Sequence, residues 1–193
     1  MNQFFPGQTG DLAAEERVSR LSQGAVLLAR DILQDPNFES STVLICLHSK
    51  EGAYGLVLNR PSYMPLSEIF DGFKGLDLKR EIFIGGPVQQ EQLQVVQVTD
   101  EPMEGAFAIK PRVYMGGNWE SIIQMIETDP SSTHLFLGYS GWGPGQLEEE
   151  IRAGAWDVYQ VDLGRLLLDS QKLLFSDSGK LASYLEELKE QPG

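Results

Sequence analysis

The residues with the most chemical potential fall in a few short stretches. Gly138-Tyr139-Ser140-Gly141-Trp142 approaches the Gly-x-Ser-x-Gly turn that exposes a nucleophilic serine, in which both glycines are needed to clear the strained backbone. Trp142 stands where the second glycine belongs, so the pattern fails. A serine hydrolase also needs a histidine base, and the chain has only His48 and His134. Each lies at the end of an expected strand, where an imidazole commonly bonds backbone instead. Cys46 and His48 are two residues apart, which on a regular strand puts thiol and imidazole on one face. Cys46 sits inside an apolar run that disfavours the thiolate, so it is expected to be buried and slow to react.

Gly141-Trp142-Gly143-Pro144-Gly145 is a second candidate, because a glycine-rich turn feeding a helix can present backbone N–H groups to a phosphate. No Lys-Ser or Lys-Thr follows it, and the dinucleotide-binding glycine spacing is absent. Glu148, Glu149 and Glu150 would complement the helix dipole themselves and repel an anion. The expectation is a structural turn, with Pro144 near the first helical position, Trp142 packed inward and the three glutamates directed outward. Two histidines and one cysteine offer no metal-ligand spacing, and the carboxylates form no EF-hand loop. Neither metal nor cofactor is expected.

Positioning these residues requires buried strands. Residues 24–29, 42–47 and 54–58 are continuous aliphatic runs bounded by turn residues, as strands covered on both faces are. Residues 81–84 and 93–98 read as two more. In the second, Leu93 and Val95 share one face and Val96 and Val98 the other, so either both faces are buried or a bulge lies between Val95 and Val96. Asp11 is expected to cap a helix through Arg20, and Leu66, Ile69 and Phe70 mark a turn or two of helix after Pro65. Trp119, Ile122, Ile123 and Ile126 have helical spacing up to Asp129-Pro130. The last third reads as a strand over 134–138, the glycine loop, a helix over 146–152 closed by Gly154, and a strand over 155–161. Two further helices carry Leu166 and Leu167 after Asp162, and Leu181, Tyr184, Leu185 and Leu188. Interspersed strands and helices give a mixed α/β or α+β class. Residues 1–21 are expected as a peripheral segment and 22–193 as one domain.

Composition narrows the function classes. Fifteen Lys and Arg against 28 Asp and Glu leave a net charge of −13, which repels a phosphate backbone. Only scattered cations such as Arg60, Lys79 and Arg80 oppose it, so no nucleic-acid partner is expected. No apolar run approaches the ~20 residues of a membrane span, and a single cysteine fits a reducing compartment. A cytoplasmic location without membrane contact is the expectation.

Three blocks in order resemble the AlgH/YqgE family of bacterial proteins. The first covers residues 24–38 and 41–61, including Asn59-Arg60-Pro61. The second is Ile84-Gly85-Gly86-Pro87-Val88, and the third covers residues 137–151. The chain departs from the family pattern at Asp31, where proline is usual, and at Glu91-Gln92-Leu93, where Glu-Arg-Gly is frequent. The resemblance implies an α+β fold with a bifurcated, partly barrel-like mixed β-sheet surrounded by helices. It implies no agreed catalytic residue. The leading expectation is a non-enzymatic protein binding a small ligand or a protein partner, with a regulatory outcome. His48, Asn59, Arg60, Ser140, Gly141, Trp142 and Gly143 are its candidate ligand-binding residues, and no catalytic residue is assigned. An enzyme of unknown reaction using the polar groups beside the glycine loops is the alternative. A transcriptional regulator is a further alternative, disfavoured by the net charge.

Overall fold

The computed structural model describes residues 8–69, 81–174 and 177–191. Phe70, Lys79 and Arg80 lie outside them. In chain order the elements begin with α1 (Gln8–Ser19), β1 (Val26–Ala29), β2 (Thr42–Ser49), β3 (Gly52–Val57), α2 (Leu66–Ile69) and β4 (Ile82–Ile84). Next come β5 (Val88–Val98), β6 (Ala106–Lys110), β7 (Val113–Gly116), α3 (Trp119–Thr128) and β8 (Thr133–Trp142). The chain closes with α4 (Gln146–Arg152), β9 (Trp156–Tyr159), α5 (Leu163–Leu168) and α6 (Ser178–Glu187).

The aliphatic runs form one nine-stranded sheet in the order β6-β7-β5-β8-β3-β2-β1-β9, with β4 pairing β8 off that path. Every pairing is antiparallel except β4 with β8, so the sheet is mixed. It curls into a partial barrel. Side chains bridge the seam: Gln23 Nε2 donates to the carbonyls of Ala108 (2.9 Å) and Ile109 (3.1 Å) on β6, and Lys110 Nζ donates to Val161 O. The inner face holds Val26, Leu44, Leu56, Val96 and Phe136 under the leucines of α5 and α6. Outside, one apolar core joins β1–β3 and β9 to α4 through Leu147, Ile151 and Trp156. Another joins β4, β5 and β8 to α3 through Ile122 and Ile126. Fully burying one such leucine or isoleucine stabilises the fold by about 1.5–3 kcal/mol.

The branch in the sheet lies on β8. One edge pairs β5, whereas the other pairs β4 at Leu135–Leu137 and β3 at Ser140–Trp142. Between β4 and β5 the chain must therefore pass from one edge of β8 to the other, and it does so at Gly85-Gly86, over Gly138 and Tyr139. A Cβ on Gly86 would overlap the Tyr139 carbonyl, and Gly138 takes the left-handed conformation (φ +70°) beside the Gly86 and Val88 carbonyls. The crossing is pinned by three hydrogen bonds: Gly85 N to Leu137 O (2.8 Å), Val57 N to Gly85 O (2.8 Å) and Ser140 Oγ to Gly85 O (3.1 Å).

Several expectations are corrected. The strand over 134–138 continues to Trp142, because Gly141 and Trp142 pair with Tyr54 and Ala53. The helix begins at Gln146 behind Gly145, which is its N-cap at φ +72°, so Pro144 precedes the cap and is not at the first helical position. Asp11 lies within α1, which starts at Gln8, and does not cap it. In β5 the first of the two expected alternatives holds, with both faces buried and the register unbroken from Leu93 to Gln97; the irregularity lies between Val88 and Leu93. The short strands β6 and β7 had no expectation; in β6, Phe107 and Ala108 are exposed despite their apolar character.

The crossing makes a sharp prediction. Gly86→Ala is expected to destabilise the fold by about 3 kcal/mol, the upper range for a group forced into a packed site. Gly143→Ala, whose added Cβ would meet only Gln146 Oε1 at 3.9 Å and whose φ is ordinary, is expected to unfold at nearly the wild-type urea concentration.

Candidate functional site

The local path of β2 decides which groups can meet. Its pairing with β3 slips between Ile45 and Leu47, so Cys46 occupies a bulge. Before the bulge, Leu44 and Cys46 belong to the inner core. After it, His48 pairs with Ala53, which packs with Trp142 on the outer face. The bulge reverses the alternation, and Cys46 and His48 lie on opposite faces of the sheet. The same-face pair expected from their spacing does not form. Burial pushes the Cys46 thiol far above its ordinary range.

On the outer face His48 meets α4, with Nε2 2.7 Å from Glu148 Oε1. Burial raises the Glu148 pKa, but the hydrogen bond and the charge of His48 outweigh it and hold the carboxyl below its usual value. Two residues further on, Glu150 Oε2 accepts from both Trp142 Nε1 (3.0 Å) and Trp156 Nε1 (2.9 Å). Phe38 packs on both indoles with ring centroids 5.7 Å away. Glu148 and Glu150 are therefore not simply outward, as expected; only Glu149 is exposed. Their spacing held the signal. Leu147, Glu150 and Ile151 stand at i, i+3 and i+4, so Glu150 shares the apolar face of α4.

A depression of about 340 Å³ opens beside this pair, lined by Leu47, His48, Glu51, Tyr54 and Trp142 among others. Tyr54 stacks on Tyr139 at 4.4 Å, and Gly141 lies opposite Tyr54 on β8, where an added Cβ would touch the Tyr139 ring at 3.5 Å. Burial, then the Cys46 and Tyr139 charges, push the Tyr54 phenol upward, so it stays protonated and able to donate. Gly143 N donates to Gln146 Oε1 (3.0 Å), which ties the loop to the first turn of α4.

The remaining candidates are elsewhere. Asn59 Oδ1 accepts from Thr42 N, and its amide donates to Ser40 O. Arg60 donates to the carbonyls of Asn37 and Glu39. These contacts are at the start of β2, about 20 Å from His48 along a strand rising ~3.3 Å per residue. Ser140 is fully buried on Gly85 O. The structure thus brings His48, Gly141, Trp142 and Gly143 to one end of the β2–β3 hairpin and sets Asn59 and Arg60 at the other. Among the described residues no three His, Cys, Asp or Glu side chains converge as a metal site would require, and no helix is long and apolar enough to cross a membrane.

Two predictions follow from α4. Glu150→Gln removes the charge from an acceptor shared by two buried indoles and is expected to cost about 1.5–3 kcal/mol, whereas Glu149→Gln should stay within about 0.5 kcal/mol in the same urea melts. Glu148 has a lower pKa folded than unfolded, so its contribution is complete above the ordinary carboxylate value and is lost as pH falls through the depressed one. The stability difference between wild type and Glu148→Gln is expected to be largest near pH 6 and to shrink on acidification through the carboxylate range.

Comparison with known proteins places this architecture. Residues 26–182 match a family model described as AlgH-like. A UPF0301 protein of Chlorobaculum tepidum is 33% identical over 180 residues, covering 90% of this chain and 95% of its own. The solution structure of the AlgH protein from Pseudomonas aeruginosa superposes with a TM-score of 0.66 at 26% identity, covering 100% of this chain and 99% of that one. A crystal structure of a Corynebacterium diphtheriae protein gives 0.61 at 28% identity over 72% of this chain and 75% of its own. The chain belongs to the AlgH-like family.

Proposed function

We propose that this chain is a non-enzymatic cytoplasmic protein that binds a small ligand or a protein partner at the turn end of β2 and β3, with a regulatory outcome. Residues 22–193 act in this reading as one domain. The observation that carries it is the separate commitment of the reactive side chains to fold contacts. Ser140 holds Gly85, Cys46 is buried on the inner face, and His48 is engaged by Glu148 on the outer one. Catalysis needs such groups to converge on one reacting atom.

Recognition needs less. The depression offers His48 and the edge of Trp142, and Tyr54 also lines it with its ring stacked on Tyr139 against the inner core. Asn59 and Arg60 act as positioning residues, holding the turn that lays Phe38 on Trp142. The charge of −13 favours regulation through a ligand or partner over direct operator binding. One observation favours an enzyme instead: the 2.7 Å His48–Glu148 contact has the geometry of a base and its orienting carboxylate.

Amide-shift titration with a panel of metabolites decides between them. The binding reading expects one saturable ligand whose shifts centre on His48, Tyr54, Gly141 and Gly143, disappear in His48→Ala, and leave the ligand chemically unchanged. Turnover of the ligand would establish the enzyme, and shifts centred elsewhere would move the site.

A further inference from the structure

A second pocket, built by other elements and independent of the reading above, carries a ligand class of its own. It has a volume of about 380 Å³ and lies between the β6–β7 turn and α5. Three cations line it: Lys110 at the end of β6, Arg112 in the turn and Arg165 from α5. Val98, Leu163 and Leu168 supply an apolar wall, and Leu168 is 54% exposed there. In a chain of net charge −13 such a gathering was invisible in sequence, because no two of these cations are closer than two residues and the third is 53 positions on.

Three carboxylates also line the pocket, and each is occupied. Asp162 Oδ1 accepts from Arg165 N, Asp169 pairs with Lys172 at 2.6 Å, and Glu190 pairs with Lys110 at 3.1 Å. Lys110 also donates to Val161 O, so its ammonium is largely committed. The Arg165 guanidinium has no hydrogen bond or ion pair among the described residues, although the residue is exposed on the pocket side of α5.

Arg112 adds an independent observation. It follows Pro111 in the two-residue turn between β6 and β7 and has φ +69°, a position where such turns favour glycine or asparagine. An arginine held there is strained. Among the described residues its side chain pairs with Asp100 at 2.7 Å, both partners are mostly exposed, and exposed pairs return little stability. The fold therefore gains nothing from arginine that glycine would not supply at lower strain. Strain of this kind points to use of the side chain outside the fold.

We infer that this pocket binds a small organic oxyanion with an apolar body, its carboxylate or phosphate held by Arg112 and Arg165 and its body against Val98, Leu163 and Leu168. Guanidinium forks suit both headgroups, so the probes separate them. Calorimetric titration of the intact chain at low ionic strength uses phenyl phosphate and phenylacetate, with inorganic phosphate and acetate as headgroup-only controls. One aromatic anion is expected to saturate a single site at least tenfold more tightly than its headgroup alone. Arg165→Ala and Arg112→Gly are each expected to weaken it at least tenfold, and Arg112→Gly is expected to raise the melting midpoint of the free protein by relieving the turn. Arg165→Ala, which removes no side-chain contact of the fold, keeps the test decisive should the turn itself rearrange. Absence of saturable binding by either aromatic anion, equal affinity for the bare headgroup, or binding undiminished in Arg165→Ala would overturn the inference.

Discussion

The Gly85 carbonyl accepts hydrogen bonds from Val57 N and Ser140 Oγ while the Gly85 amide donates to Leu137 O, and the geometry on both sides of β8 follows from that anchor. The chain leaves β4 on one edge of β8 and enters β5 on the other. It can cross only where neither backbone carries a Cβ in the way, which requires Gly85 and Gly86 above and Gly138 below. Once the crossing is set, the lower part of β8 belongs to the lobe with α3 and the upper part to the lobe with α4. The strand β8 is the shared stem of a forked sheet.

The fork also explains why Ser140 is polar and fully buried. A buried hydroxyl without a partner would cost about 1–3 kcal/mol, and Gly85 O, already accepting from Val57 N, offers Ser140 Oγ its second lone pair. Above the fork, β3 pairs with the last three residues of β8 and brings the β2–β3 turn beside Trp142. Only then can α4, entering through Gly145, set Glu148 against His48 and Glu150 against two indoles. The depression at that end is thus lined by β2, β3 and the end of β8, whose relative places follow from a contact between backbones.

Much of this was legible in the sequence. Continuous aliphatic runs located β1 to β3, and i, i+3, i+4 spacing located α3, α4 and α6 because those patterns report burial directly. The resemblance to the AlgH/YqgE family supplied the forked, partly closed sheet, which periodicity alone did not. Other features depend on relations that a linear reading does not contain. The bulge at Cys46 reverses the faces of all that follows on β2, and no residue type marks it. Gly141 and Trp142 look like loop because glycine is rare in strands, yet pairing with β3 overrides that preference. Glu150 looked like part of a solvated acidic run, and its role needed Trp142 and Trp156 to be brought together in space. Lys110, Arg112 and Arg165 likewise form a group only after the sheet has curled.

Native-state hydrogen exchange at the crossing tests this account most directly. If the fork organises the fold, the amides of Val57 and Gly85 open only with the whole molecule, and their exchange free energies equal the unfolding free energy from urea melts. Exchange of these two amides at a distinctly lower free energy, with the Ile45 amide of β2 still at the global value, would show that the two lobes hold together without the crossing and would contradict it.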